Sequence, residues 1–277
     1  MNDCLNKKID KALHLIQCSV GDDIVEVSYS GGKDSDVILE LVKMAGVKYR
    51  AMYKNTTIDP VGTIAHCKEK GVEIISPKMS FFQLVEKKGM PTRRARFCCR
   101  FLKEYKILDK SVQGIRRCES VKRSKNYSAD DPVICRYYGS KKNHVSVILP
   151  ILNWSDDDVR EFVNIRNLKC HPLYYDDNGN FCVDRRLGCM GCPLKSDNGR
   201  GDFLLHTKLF VRMVKSVEVW WCSHPNAKSR LKFRDVYGLI AHNLFYDSYA
   251  RWREDDITLF GCEDWKLFLE KYFKVNL

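Results

Sequence analysis

Ser30-Gly31-Gly32-Lys33-Asp34-Ser35 joins an apolar run, Ile24-Val25-Glu26-Val27-Ser28-Tyr29, to a segment in which Val37, Ile38, Leu41, Val42 and Ala45 recur at helical spacing. The first run predicts a strand and the second a helix from Asp34 to Ala45. A glycine-rich turn between them lets backbone N–H groups approach an anion, and the helix N-terminus adds favourable partial charge. Ser30 and Ser35 supply hydroxyls and Lys33 supplies a cation. Asp34 is misplaced beside an anion unless it caps the helix or holds Mg²⁺. The GxxxxGKS/T spacing of a Walker A loop is absent.

Outward from this turn, Val47 to Tyr53 reads as a second strand, closing a βαβ unit of about 30 residues. Thr57 to Lys70 reads as a helix with Pro60 in its first turn. Val72 to Ser76 is a third strand and Ser80 to Lys88 a short helix. Ser111 to Ile115 and His144 to Leu149 are further strands. Ser155 caps a helix whose first turn holds Asp156, Asp157 and Asp158, and residues 4–19 form an amphipathic helix. The alternation predicts a doubly wound, mostly parallel α/β sheet. Gly179 to Gly201 reads as loop, and helices are expected over 202–222, 231–253 and 263–273. The expected division is a nucleotide-binding domain over 1–197, including the cysteine loop, and a helical C-terminal region over 198–277.

The 277 residues carry a net charge of +12. From Lys87 to Lys142 there are 17 basic and 5 acidic residues, so this segment accounts for the whole excess. Such a concentration implies a polyanionic partner, nucleotide phosphates or nucleic acid. Ser124 to Asp131, poor in apolar residues, reads as a loop over the site. No stretch has the roughly 18 apolar residues of a membrane span. The N-terminus lacks a signal peptide pattern, and the chain is expected to be cytoplasmic, with no membrane partner.

Thirteen cysteines are many for a reducing compartment. Metal or redox use is the leading interpretation, and burial as small apolar residues is the alternative for any isolated one. Two sites are dense: Cys98-Cys99 and Gly188-Cys189-Met190-Gly191-Cys192-Pro193. Together Cys98, Cys99, Cys189 and Cys192 could supply four thiolates. Successive side chains diverge, which suits a cubane cluster better than tetrahedral zinc. Arg93, Arg94, Arg96, Arg100, Arg185 and Arg186 are expected to flank the thiolates and offset a cluster's charge. His171 near the cysteine loop and Gly261-Cys262-Glu263 near the C-terminus are lesser candidates. Aromatic residues from Trp220 to Trp252 fall at helical spacing and read as core.

Ser30 to Ser35 resembles the SGGxDS pyrophosphate motif of the N-type ATP pyrophosphatases, the adenine nucleotide α-hydrolase-like, Rossmann-like superfamily that includes the PAPS reductases and thiolation and phosphorothioation enzymes. Cys98-Cys99 with Cys189-x-x-Cys192, 90 positions after Cys99, resembles the 4Fe–4S site of sulfonucleotide reductases. Gly114-Ile115-Arg116 with Glu119-Ser120 and Arg123 resembles the family's GxRxxES segment. Pro150-Ile151 with Trp154, and His171-Pro172-Leu173-Tyr174, resemble two further segments. The resemblance implies that Ser30, Gly31, Gly32, Lys33, Asp34 and Ser35 grip the β- and γ-phosphates of ATP. It implies that Tyr53 and Asn55 lie beside adenine and ribose, and that Gly114 and Arg116 complete the site. Lys33, Asp34 and Arg116 would carry catalysis. ATP with Mg²⁺ would give AMP and pyrophosphate while an acceptor is adenylated for sulfur insertion.

This chain departs from the reductase branch in two respects. The ECGxH cysteine of classical reductases is absent, and the pyrophosphate loop, degraded in most reductases, is complete. Both favour ATP cleavage, with a nucleic-acid acceptor and a sulfur-donor or reductant protein as expected partners. The alternatives are a sulfonucleotide reductase releasing sulfite, and a non-catalytic regulator that binds nucleotide and nucleic acid.

Overall fold

The computed structural model describes residues 3–105, 107–127, 131–137, 144–245 and 264–277. The chain forms two compact units whose segments interleave: Met1–Asn55, Asp59–Ser76 and Leu102–Gly188 make the first, and Thr56–Ile58, Pro77–Phe101 and Cys189–Leu277 the second. The strands are β1 (Val25–Tyr29), β2 (Tyr49–Lys54), β3 (Glu73–Ile75), β4 (Lys110–Val112), β5 (Val133–Tyr137) and β6 (His144–Ile148). The helices are α1 (Asp3–Val20), α2 (Lys33–Ala45), α3 (Thr63–Glu69), α4 (Phe81–Lys88), α5 (Phe97–Leu102), α6 (Val121–Asn126) and α7 (Asp156–Ile165). They continue with α8 (Arg200–Leu205), α9 (Thr207–Ser223), α10 (Val236–Leu244) and α11 (Trp265–Phe273). None of the described helices is long and apolar enough to cross a membrane.

The first unit is a Rossmann-like α/β fold. Its six strands lie in the order β3-β2-β1-β4-β6-β5, all parallel except the edge strand β5. Alternation in β1 sends Val25, Val27 and Tyr29 into one core with Leu5, Ile9 and Ile16 of α1, Val37 and Leu41 of α2, and Phe162 of α7. Val145, Val147, Leu149 and Leu152 form a smaller cluster with Ile107, Ile115 and Ile134 packed against it. Glu26 and Ser28 alternate with the core residues of β1. Glu26 is fully buried. Its carboxylate accepts from Ser28 Oγ at 2.9 Å, Lys54 Nζ at 2.5 Å and Leu108 N at 3.1 Å. Those partners are what make a buried charge tolerable.

In the second unit α9 lies beside α4, where the ring of Trp220 covers Gly89. Phe203, Phe210 and Phe273 form an aromatic core, with Phe210 and Phe273 stacked at 3.9 Å. Trp220 and Phe245 are buried, as the helical spacing predicts, whereas Trp221, Phe233 and Tyr237 are only partly buried; Phe268 is also buried. Tyr246, Tyr249, Trp252 and Cys262 lie outside the described residues.

Several boundaries differ from expectation. The helix expected from Thr57 starts only at Thr63, because Thr57 takes a left-handed φ of 62° and Gly62 one of 91°. The loop expected from Ser124 is helical through Asn126, since Ser120 accepts from Arg123 N and starts α6. The helix expected over 231–253 is, within the described residues, a 3₁₀ turn at Arg230–Lys232 followed by α10, capped by Asp235. Strand β5 was not expected.

Candidate functional site

The strand order reverses at β1, whose neighbours β2 and β4 carry the chain in opposite directions. Ligands of open α/β sheets bind at such a switch point, beyond the carboxyl ends of the strands. Ser30–Gly32 follow β1 there, and Gln113–Arg116 follow β4. Gly31 has φ 77°, and a Cβ on it would meet Thr63 Cγ2 at 3.0 Å. A Cβ on Gly114 would lie 2.8 Å from the Asp34 carbonyl oxygen, so only glycine lets the two loops meet. Gly32 caps α2 with extended backbone and no side-chain hydrogen bond. The first turn of α2 therefore faces the site without a cap of its own side chains.

A cavity of about 220 Å³ lies over this turn. Pockets for drug-sized ligands run from about 300 to 1,000 Å³, so this one suits a phosphate chain and not a base. Its floor is Ser30, Gly32, Lys33, Asp34 and Ser35, with Gly114 beside them. Its walls include Ser28, Glu119, Arg123, Tyr174 and Arg186. Lys33 is almost fully buried, with Nζ 3.3 Å from Asp34 Oδ2 and 5.4 Å from the centre of the Tyr174 ring. Arg123 pairs with Glu119, and Arg186 Nη2 donates to the Glu119 carbonyl at 2.5 Å. Burial lowers the pKa of Arg123, and Arg186 and Arg116 lower it further against the opposing pull of Asp34. An anion in the cavity would relieve that crowding of cations.

Asp34 neither caps α2 nor stands free. Its Oδ1 accepts from Arg116 Nε at 2.6 Å. Arg116 is 1% exposed, and its other N–H groups reach Asp156 Oδ1 at 2.8 Å, Cys118 Sγ at 3.0 Å and the Trp154 carbonyl at 3.5 Å. Burial opposes its charge, but Asp34, Asp156 and Cys118 outweigh that and hold its pKa above the ordinary value. Arg116 thus stands behind Asp34 and does not line the cavity. Of the three acids after Ser155, Asp158 completes the capping box and Asp156 orients Arg116.

Tyr53 is buried, with its hydroxyl on Asp59, and Asn55 N donates to the Ile75 carbonyl at 3.0 Å. Neither lines the cavity over the glycine turn. His171 is also buried away from it, with Nδ1 accepting from Leu173 N and Nε2 3.4 Å from Thr63 Oγ1. Burial, then neighbouring His66, lowers its pKa. Arg186 lines the cavity over the glycine turn, and Arg185 Nη1 donates to the carbonyls of Leu173 and Tyr175. Cys182 N–H bonds the Tyr174 carbonyl at 2.7 Å, closing the short antiparallel turn through residues 176–180 that precedes both arginines.

The four cysteines all belong to the second unit. Cys98, Cys99, Cys189 and Cys192 are each partly exposed. A hydrogen bond with Cys99, then burial, then the charges of Cys99 and Cys189 push the Cys98 thiol far up, which marks three thiols as neighbours. Cys189 Sγ is 3.6 Å from Thr56 Oγ1, and Met190 N donates to the Ile58 carbonyl. Arg93 ties the preceding segment to the loop through Asn198 Oδ1 at 2.9 Å and the Lys195 carbonyl at 2.8 Å. Among the described residues no group of three or more His, Cys, Asp or Glu converges on a single-ion position. Cys98, Cys99 and Cys189 are the thiols brought together, and soft thiolate donors of this kind suit zinc or an iron–sulfur centre.

A glycine turn, an uncapped helix start and a cation-walled cavity at a switch point define a Rossmann-like protein of the nucleotide-binding kind. The chain belongs to the phosphoadenosine phosphosulfate reductase domain family, whose model matches residues 24–195. It is 29% identical over 212 residues to an uncharacterised protein of Methanocaldococcus jannaschii, covering 69% of this chain and 48% of that one. It is 30% identical over 138 residues to an uncharacterised 37.8 kDa protein of Escherichia phage 186, covering 44% of this chain and 38% of that one. The chain thus spans less than half the length of these curated relatives. Similar solved structures include the phosphate complex of phosphoadenylyl-sulfate reductase from Candida auris, with TM-score 0.45, 15% identity and coverage of 68% and 93% of the two chains. The U34-tRNA thiolase NcsA of Methanococcus maripaludis with its 4Fe–4S cluster has TM-score 0.39, 15% identity and coverage of 83% and 84%.

Proposed function

We propose that this chain binds ATP through Ser30–Ser35 and cleaves it between the α- and β-phosphates to adenylate an acceptor for sulfur transfer. The observation that carries this reading is the complete SGGKDS turn opening α2 beneath a cavity of phosphate-chain size walled by Lys33, Arg123 and Arg186. The acceptor oxygen would bond to the α-phosphorus as the bond to the bridging β-oxygen breaks, its electron pair leaving with pyrophosphate. A sulfur nucleophile from a donor protein would then take the place of that oxygen, which departs with AMP. Fixed cations aimed at the departing pyrophosphate stabilise its developing charge without reorganisation. Asp34 acts indirectly, by holding Arg116 and Lys33. Mg²⁺ enters with the nucleotide as part of the substrate, because the carboxylates of Asp34 and Glu119 are already paired with cations. Cys98, Cys99, Cys189 and Cys192 would hold a 4Fe–4S cluster, which when bound supplies a structural, sulfur-carrying or redox function. The excess positive charge of residues 87–142 suits a nucleic-acid acceptor.

The test is to incubate anaerobically purified protein with MgATP and mixed cellular nucleic acid. AMP and pyrophosphate are expected in equal amounts, reduced about 100-fold or more in Asp34→Ala, the scale of losing one preorganised electrostatic contact. Release of ADP, or no cleavage by iron-replete protein, would contradict the reading. Replacing Arg123 or Arg186 by Gln is expected to weaken pyrophosphate binding roughly tenfold each, about 1.4 kcal/mol, in titration calorimetry. A second reading, sulfonucleotide reduction, draws on the family match itself. Sulfite released from PAPS or adenylyl sulfate would favour it.

A further inference from the structure

We propose that Tyr174 is a ligand-contacting residue of the phosphate cavity, its phenol O–H donating a hydrogen bond to a phosphate oxygen seated at the first turn of α2. This deepens the nucleotide-binding reading and rests on it. Tyr174 ends a single 3₁₀ turn, Pro172–Tyr174, fixed at its start by the buried His171. The residue is 3% exposed, yet it forms part of the cavity wall. Its hydroxyl lies over Gly32, 3.2 Å from where a Cβ would be.

The hydrogen-bond inventory of that hydroxyl decides the inference. A phenol oxygen carries one hydrogen and two acceptor lone pairs. Leu187 N donates to it at 3.1 Å. One lone pair is therefore engaged by an amide of the segment that bounds the cavity. No acceptor among the described residues receives its proton. A buried O–H without an acceptor is costly, and an acceptor in the cavity would satisfy it.

Two features make it a strong donor that stays protonated. Lys33 Nζ sits 5.4 Å from the ring centre, drawing electron density from the phenol. Burial pushes its pKa up, partly countered by the Leu187 and Lys33 amides, to about 12. The hydroxyl therefore serves as a neutral donor beside the charged Lys33, Arg123 and Arg186.

The alternative is that Tyr174 only anchors the Leu187 amide. Phenylalanine would break that tie and remove the donor at once, so it cannot separate the two roles alone. A polyfluorinated tyrosine at 174 can, because it keeps the oxygen but ionises at lower pH. As a phenolate it accepts from the Leu187 amide more strongly and donates nothing. Lys33, Asp34, Glu119, Arg123 and Arg186 also face the cavity, so the full-length wild type is titrated in parallel with pyrophosphate and with ATP across neutral pH.

Tyr174→Phe is expected to weaken pyrophosphate binding about tenfold. The fluorotyrosine protein is expected to match the wild type while protonated, and then to lose affinity about tenfold more than the wild type as its own phenol ionises. Unchanged or tighter binding on ionisation would overturn the proposal, whatever Tyr174→Phe does to folding. Wild type that binds neither pyrophosphate nor ATP would overturn the nucleotide reading and this proposal with it. Wild type that binds both, with affinity indifferent to residue 174, would overturn this proposal alone.

Discussion

Arg116→Met is expected to lower the stability of the protein by about 3–5 kcal/mol and to abolish measurable binding of ATP. The first number follows from what the substitution strands. Removing one partner of a buried ion pair leaves the other uncompensated, at a cost of about 3–5 kcal/mol. Arg116 is 1% exposed, and Asp34 beside it is only 15% exposed at its side chain. Asp156 is 53% exposed and can rehydrate, so Asp34 dominates the penalty. The loss of binding follows from position. Without Arg116, Asp34 would put an insufficiently balanced negative charge at the floor of the cavity proposed to hold the phosphates. Arg116→Lys keeps a charge but not the planar fork that spans Asp34 and Asp156, so it is expected to recover less than half of the lost stability. Pairing Arg116→Met with Asp34→Asn removes the stranded charge, and the double variant is expected to be more stable than Arg116→Met alone. Denaturant midpoints at constant m-value read the first effect and titration calorimetry the second. An Arg116→Met protein as stable as the wild type would show that the pair contributes nothing.

This clamp marks the limit of what local sequence carries. The turn at Ser30–Ser35, β1, α2 and the order of alternating strands and helices follow from apolar periodicity and glycine placement within about 20 residues. The role of Asp34 does not, because its partner lies 82 positions away. Capping and metal binding are the local uses of such an aspartate, and the tertiary fold gives it a third. Arg186 adjoins the CxxC segment in sequence, yet its side chain lines the cavity over the glycine turn. Glu26 offered a signal of its own: a carboxylate in the middle of an apolar central strand needs a buried partner, and Lys54 supplies it. Thr57–Gly62 shows the opposite failure. Helical spacing of apolar residues extends through it, but two left-handed residues hold the chain out of helix until Thr63.

The cysteine loop should be the second most sensitive place in the molecule, and its weakest point is a glycine with no chemistry. Gly199 has φ 83°, and a Cβ there would fall 2.5 Å from the carbonyl carbon and 2.6 Å from the Cα of Gly191. Gly191 sits between Cys189 and Cys192, with φ 64°, and its own Cβ would strike the Phe203 ring at 2.3 Å. The CxxC turn is thus pressed between the start of α8 and the aromatic core, with Gly191 N held by Asp202 Oδ2 at 2.7 Å. Neither glycine can yield, because what each would strike is backbone or a buried ring. Left-handed backbone costs a residue with Cβ about 1–2 kcal/mol, and overpacking adds about 1–3 kcal/mol. Gly199→Ala is therefore expected to cost about 2–5 kcal/mol and to release the turn that carries Cys189 and Cys192. Gly179→Ala separates the two contributions. Gly179 has φ 79° but nothing within 4 Å of a Cβ, so only the conformational cost applies. Both proteins would be compared by thermal unfolding and by iron content after anaerobic reconstitution. Gly179→Ala should keep the iron stoichiometry of the wild type, and Gly199→Ala should lose most of it. Equal melting temperatures in the two variants would mean that the loop gives way at Gly191 without cost, and that the packing against Phe203 does not hold the cysteines in place.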